Sequence, residues 1–193
     1  MTNNETPRGR FIDKCHMCKK GPLQLVLDLG FHPHSDHFPT PEQLNEHEES
    51  YPLRLVSCQD CGLLQIDYLV DPKILYQTDY LYQSLATTKT GSAHFEGMAK
   101  DIVENYNIPK DSLAIDIGSN TGALLQSFKN HGLRVVGVDP AEEIAKSAID
   151  NGIPTIIDFF GTKVAEKIEN EHGKAHVITG TNVFAHMHEV DDA

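Results

Sequence analysis

Four cysteines constrain this chain more than any other feature. They fall in two pairs of identical spacing, Cys15-His16-Met17-Cys18 and Cys58-Gln59-Asp60-Cys61, and none is left over. Two CxxC knuckles bring four thiolates within reach of one tetrahedral ion, so Cys15, Cys18, Cys58 and Cys61 are assigned as zinc ligands. Gly62 follows the second pair and suits a tight turn whose amide N–H groups aim at sulfur. Disulfides are the competing reading, but the polar N-terminus, Met1 to Arg10, has no apolar stretch of the secretory kind. A redox CxxC needs a single pair. Four cysteines complete the shell, so His16 is expected to be exposed and the zinc to be structural, with no open position for a substrate. The 39 residues between the knuckles make this a small domain that the metal staples.

Around the knuckles the pattern is that of strands. Leu23, Leu25, Leu27 and Leu29 alternate with Gln24, Val26 and Asp28, a period of two with one apolar face that Gly30 is expected to end. Residues 31–50 carry Pro33, Pro39 and Pro41 and read as a loop with a helical turn at 41–47. Short strands lead into the second knuckle over 53–56 and out of it over 63–66. The resulting division is a disordered tail over 1–10, a zinc-binding β module over 11–75 and a connector over 76–91.

From residue 92 the texture changes. Phe95, Met98, Ala99, Ile102, Val103 and Tyr106 keep helical spacing, and Asn107 and Pro109 end that helix. Strands are then expected at 113–117, 134–138, 154–157 and 175–179, with helices between them. This βαβ alternation predicts an α/β fold with a Rossmann-like parallel sheet and right-handed crossovers over 92–193.

Ligands of such sheets lie beyond the carboxyl ends of the strands. The first strand ends Asp116-Ile117-Gly118-Ser119-Asn120-Thr121-Gly122. A dinucleotide fingerprint wants GxGxxG and an apolar residue before it; here Asn120 stands at the middle glycine, and Asp116 would repel a pyrophosphate. A carboxylate suits the α-amino group and sulfonium of S-adenosylmethionine instead. The second strand ends Val138-Asp139-Pro140, where an acidic residue about 20 positions after the first glycine accepts hydrogen bonds from ribose hydroxyls. The bland alternative is that Asp116 and Asp139 only cap the following helices. Asp158 and Phe159 after the third strand are candidates for the adenine amine and ring. After the fourth strand Asn182 and His186 lie at the methyl-donor edge, His186 as a general acid/base, with His188 a nearby rival.

These pieces resemble the S-adenosylmethionine-dependent sugar C-methyltransferases, in which a zinc-binding domain precedes the methyltransferase fold. The resemblance runs from Cys15 to His186 and rests on CxxC…CxxCG, Asp79-Tyr80-Leu81-Tyr82-Gln83-Ser84, the 115–122 run IDIGSNTG, GVDPA at 137–141, IPTIIDFFG at 153–161 and NVFAH at 182–186. The family usually has GSNDG where this chain has GSNTG. The resemblance implies methyl transfer to a carbon next to the ketone of a keto nucleotide-sugar in deoxysugar biosynthesis, through an enolate. It places His186 and one of Tyr80 and Tyr82 at the active site without choosing between the tyrosines. It also implies a sheet order of 3-2-1-4-5-7-6 and a further C-terminal domain that supplies groups for the nucleotide-sugar. The chain is therefore expected to be the N-terminal portion of such an enzyme, with the fourth strand as a bare edge.

With 16 Lys and Arg against 28 Asp and Glu, a net charge of −12, nucleic acid is excluded as a partner, and no apolar run spans a membrane. A cytoplasmic location follows as the expectation. Rival functions are a zinc-containing scaffold derived from such an enzyme, an O- or N-methyltransferase of another small molecule, and a nicotinamide oxidoreductase, the last disfavoured by Asp116 and Asn120.

Overall fold

A computed structural model describes residues 8–77, 80, 82–84 and 88–193. Asp79 and Leu81 of the tyrosine-rich stretch, residues 1–7 of the expected tail and part of the connector lie outside the described residues. The chain divides into two units, one of residues 1–81 with 188–191, the other of 82–187 with 192–193.

In the first unit β1 (Gly9–Phe11) pairs antiparallel with β5 (Tyr68–Val70), and β2 (Leu23–His32), β3 (Tyr51–Cys58) and β4 (Leu64–Ile66) form an antiparallel sheet in that order. Gly9 and Arg10, assigned to the tail by their polarity, are thus part of a strand; three residues are too few to show a period. β2 also runs on through Gly30, which takes a left-handed φ of +80°. The strand absorbs that turn with a register shift between Asp28 and Phe31, an irregularity of the kind that lets extra residues pass without ending the pairing. Residues 43–45 make a single helical turn, inside the stretch where one was expected. Asp71 caps α1 (Pro72–Tyr76) by accepting the Lys73 N–H at 2.9 Å.

This unit has little core. Among the described residues its buried apolar side chains are Cys15, Tyr51, Val56, Cys58 and Leu69, and two of these are cysteines of the knuckles. Leu25, Leu27 and Leu29 stay about half exposed, and the single apolar face expected from their alternation is broken: a register shift between Leu25 and Leu27 pairs them with the consecutive residues Val56 and Leu55, which point to opposite faces. Aromatic contacts supplement the core: Phe11 stands edge-on to Tyr68 at 4.9 Å, and the Arg54 guanidinium lies 5.1 Å above the Phe11 ring. Arg54 also forms an ion pair with Asp67, whose side chain is almost wholly buried.

The second unit is the parallel sheet. After α2 (Lys89–Asn105) come β6 (Leu113–Ile117), α3 (Ala123–Asn130), β7 (Arg134–Val138), α4 (Glu142–Asp150), β8 (Thr155–Ile156), α5 (Thr162–His172) and β9 (Ala175–Thr179). The sheet order is β8-β7-β6-β9, and every pairing is parallel. This is the order 3-2-1-4 expected for the first four strands. One face buries Ala114, Leu124, Leu125, Phe128 and Ile153 with the apolar side of α2; the other packs Leu113, Ile115, Val136 and Val138 against Val164 and Ile168 of α5. Phe128 is fully buried, and its burial is worth about 3 kcal/mol. Tyr106, expected on the buried side of α2, is exposed because it is the C-cap, where the chain leaves helical geometry for Asn107 at φ +51°. β7 and β8 are laid down on one side of β6 and β9 on the other, so the strand order reverses between β6 and β9. That reversal is the crevice in which such sheets bind ligands.

Candidate metal centre and cofactor site

The two knuckles share one backbone design. The Cys15 N–H donates to the Lys20 carbonyl (2.8 Å) and the Lys19 N–H to the Cys15 carbonyl (3.0 Å); the Cys58 N–H donates to the Leu63 carbonyl (2.9 Å) and the Gly62 N–H to the Cys58 carbonyl (2.9 Å). Gly62 takes φ +78°, and Lys19 takes the equivalent position at φ +59°. The glycine was legible in the sequence, and its lysine counterpart was not. The turns face each other so that Cys15 and Cys61 Sγ are 3.7 Å apart and Cys18 and Cys58 Sγ 3.6 Å. All four sulfurs lie within 4.8 Å of one another. Tetrahedral zinc with Zn–S bonds of about 2.3 Å requires S···S edges of about 3.8 Å, so the set fits the ion. These separations are far too long for a disulfide.

The thiols are electrostatically unequal. Backbone N–H groups of Cys61 and Asp60 hold Cys58 down to about 7. At Cys18 the Lys20 amide also pulls downward, yet burial and the neighbouring sulfurs push the thiol up to about 12. A dication placed among them favours the thiolate at all four. His16 is half-buried rather than exposed, and its backbone N–H donates to Gln65 Oε1 at 3.1 Å. It is not part of the cluster. Gln65 braces the first knuckle from β4, a role that only the folded register reveals.

In the second unit, Asp116 ends β6 and is 3% exposed. Its cross-strand neighbour on β9 is Thr179, whose Oγ1 donates to Asp116 Oδ1 at 2.7 Å. Burial pushes the Asp116 carboxyl up to about 6, against the Thr179 hydrogen bond and with a smaller push from Asp139. Asp139 ends β7 at 5% exposure. Its Oδ2 accepts the Asn120 N–H at 2.7 Å and its Oδ1 the Ala141 N–H at 2.9 Å. Burial raises its pKa too, although both amides favour the anion.

The glycine-rich turn joins these carboxylates. The N–H groups of Gly118 and Ser119 both donate to the Val138 carbonyl, at 2.8 and 3.1 Å. Gly118, Asn120 and Gly122 are left-handed, at φ +65°, +51° and +76°. A Cβ at Gly118 would meet Val183 Cγ2 at 2.6 Å, and one at Gly122 would meet Ile153 at 3.0 Å. The close approach that these glycines permit is therefore to the loop after β9 and to the α4–β8 turn.

Asn120 is buried, and its side chain is committed within the protein. Its Oδ1 accepts the Ser84 N–H (2.8 Å) and the Thr121 N–H (3.0 Å), while its Nδ2 donates to the Tyr82 carbonyl (2.9 Å). Tyr82 is thereby fastened to the glycine turn through its backbone. Tyr80 belongs to the first unit, edge-on to Tyr76 at 5.7 Å. Pro140 is half-buried between Asp139 and Ala141. Asp158 is exposed and accepts the Phe159 N–H at 2.8 Å; Phe159 is half-buried, and Phe160 packs on the core. Asn182 is exposed at φ +55°, and His186 is exposed in a short turn over Phe184–His186. His188, in the first unit, is half-buried, and burial lowers its pKa. Thr179, Ser84 and Val183 join the site only through long-range pairing. Of these, Thr179 could have been found by aligning the ends of the predicted strands.

The donor set suits a cofactor with a cationic amino acid end and a ribose: two buried carboxylates at adjacent strand ends, bridged by a left-handed turn. Residues 15–76 match the family described as "Putative zinc binding domain", and residues 93–193, just over half of the chain, match the family described as "Methyltransferase domain". The chain is 32% identical over 185 residues to the C-methyltransferase NovU of Streptomyces niveus, covering 95% of this chain and 43% of that protein. It thus spans less than half the length of that relative. Among solved structures it is similar to the plantazolicin methyltransferase BamL in complex with S-adenosylhomocysteine (18% identity, TM-score 0.42, 54% of this chain and 40% of that one). It is also similar to the magnesium protoporphyrin IX methyltransferase of Synechocystis with bound S-adenosylmethionine (15% identity, TM-score 0.38, 50% and 46%). With a four-cysteine zinc-binding domain ahead of its parallel sheet, the chain belongs to the methyltransferase-domain family.

Proposed function

We propose that these residues form the zinc-binding and cofactor-binding portion of an S-adenosylmethionine-dependent C-methyltransferase that acts on a keto nucleotide-sugar in deoxysugar biosynthesis. The observation that carries the reading is the pair of buried carboxylates, Asp116 and Asp139, at the carboxyl ends of adjacent strands around the glycine turn. Asp116, ionised, offers a low-dielectric partner for the ligand's ammonium group. Asp139 accepts the ribose hydroxyls through lone pairs that the Asn120 and Ala141 amides leave open. Asp158 and Phe159 take the adenine, and Asn182 lines the donor edge. When bound, the cofactor supplies an electrophilic methyl group on a sulfonium. Tyr82, held against the glycine turn, and His186 are assigned to the oxygen of the sugar enolate, where a phenol or imidazole donor offsets developing charge. Tyr80 remains the rival tyrosine.

The carbon acceptor and the nucleotide-sugar rest on the similarity to NovU and on the tyrosine–histidine set. A reducing, cytoplasmic setting suits four free thiols that hold a metal. We propose further that the 193 residues hold the cofactor without completing turnover. The test supplies zinc-loaded protein with S-adenosylmethionine labelled at the methyl carbon and a keto nucleotide-sugar. Cofactor binding without methyl transfer is expected. Label on an oxygen or nitrogen contradicts the C-methyl reading, and label on a sugar carbon contradicts the need for further chain.

A further inference from the structure

Asn120 occupies a position at which three pieces of the second unit meet. Its backbone N–H donates to Asp139 Oδ2 at 2.7 Å. Its side-chain oxygen receives the Ser84 N–H at 2.8 Å, and its side-chain nitrogen donates to the Tyr82 carbonyl at 2.9 Å. A fourth contact, Ser84 Oγ to Thr121 Oγ1 at 3.3 Å, lies beside them. The residue is 8% exposed, so these bonds form away from competing water. Asparagine is suited to the position twice over. It tolerates the left-handed φ of +51°, and its amide offers a donor and an acceptor in one plane, matching the carbonyl of Tyr82 and the N–H of Ser84. An aspartate has no donor for the carbonyl, and a glycine has neither group.

We propose that Asn120 is a positioning residue. Its side chain clamps the 82–84 strap onto the glycine turn, so that the placement of Tyr82 and the occupation of the cofactor site are set together. The inference rests on the cofactor reading above and deepens it. The residue reaches the cofactor through Asp139, by its backbone, and the acceptor side through the strap, by its side chain. A ligand that orders Asp139 and the turn therefore also orders Asn120 and tightens the strap, and a loosened strap weakens the ligand. Neither coupling requires Asn120 to touch the ligand.

The test uses zinc-loaded protein and S-adenosylhomocysteine as the probe, with two variants. Asn120→Gly keeps the left-handed backbone and removes all three side-chain bonds, the two to the strap and the one from the Thr121 N–H. Asn120→Asp keeps the acceptor for Ser84 and loses the donor to Tyr82. Affinity is read by calorimetry, and amide hydrogen exchange is followed across 80–84 with and without the probe. In the wild-type protein, binding is expected to slow exchange at Ser84. Asn120→Gly is expected to bind about tenfold more weakly, the equivalent of one to two hydrogen bonds, and to lose the ligand-induced protection. Asn120→Asp is expected to fall between. A merely structural asparagine would lower the melting temperature and leave the ligand-induced protection intact; that result overturns the proposal. Wild-type-like affinity in both variants overturns it as well. Failure of the wild-type protein to bind the probe contradicts the cofactor reading and this inference together. Binding with unchanged protection in the variants contradicts this inference alone.

Discussion

Thr179 on β9 donates its hydroxyl to Asp116 on β6 across 2.7 Å, at the point where the strand order reverses. That one hydrogen bond does not compensate the burial of a carboxylate, and the Asp116 pKa rises to about 6. The native state therefore holds more protons than the unfolded chain between about pH 4 and pH 6. Stability is expected to fall as pH rises through that window, by about 3 kcal/mol, with Asp139 contributing in the same direction. Asp116→Asn is expected to flatten the dependence and raise stability at pH 7, read by urea unfolding at several pH values.

The same carboxylate sets the pH dependence of ligand binding. A cationic amino group pairs with the ionised form only, so S-adenosylmethionine affinity is expected to be about tenfold weaker at pH 5 than at pH 7. It should level off above pH 7. Calorimetry across this range checks the expectation, and Asp116→Asn should bind weakly with no such slope.

Because its cysteines make up much of its small core, the first unit depends on metal. Elemental analysis is expected to give one zinc per folded chain. A strong chelator, or Cys58→Ser, should abolish the protection of β2, β3 and β4 from hydrogen exchange while β6 and β7 keep theirs. Loss of both together would contradict the division of roles between the units.

Lys19 and Gly62 fill equivalent positions in the two knuckles. A left-handed lysine costs about 1 kcal/mol relative to glycine, and its exposed ion pair with Asp191 returns less than that. Lys19→Gly is therefore expected to stabilise the zinc-loaded unit slightly. Gly62→Lys, where no atom lies within 4 Å of a new Cβ, should destabilise it by about 1–2 kcal/mol through backbone strain alone. Thermal unfolding of the two variants checks the sign of each.

Gly118 faces Val183, with 2.6 Å between a built Cβ and the valine methyl. Gly118→Ala is expected to cost about 2 kcal/mol from overpacking and its positive φ. Adding Val183→Ala should recover the steric part and leave the backbone part. A double-mutant cycle with a coupling above about 0.5 kcal/mol checks this.

What the sequence made legible follows its periodicities. Paired CxxC spacing located the thiol cluster, and alternating strands and helices located the four parallel strands, while their order came from the family resemblance. The ends of those strands placed Asp116 and Asp139 at one crevice. Features that depend on distant partners were not legible. Tyr82 and Asn120 are 38 residues apart, and nothing local in either announces their bond. β1 is three residues long and owes its existence to β5. Leu25, Leu27 and Leu29 alternate as one apolar face would, yet the register shift between Leu25 and Leu27 breaks that face, and the irregularity is set by the pairing with β3 and not by anything local. Lys19 shows that a left-handed position can be hidden when the residue is not glycine.

The central claim is that the second unit is a cofactor site built on Asp116 and Asp139. Titration of the folded, zinc-loaded protein with S-adenosylhomocysteine at pH 7.5 tests it most directly. The account predicts saturable one-to-one binding that Asp139→Ala weakens by at least about tenfold. A folded sample that takes up no S-adenosylhomocysteine, or that binds it equally well without the Asp139 carboxylate, would contradict it.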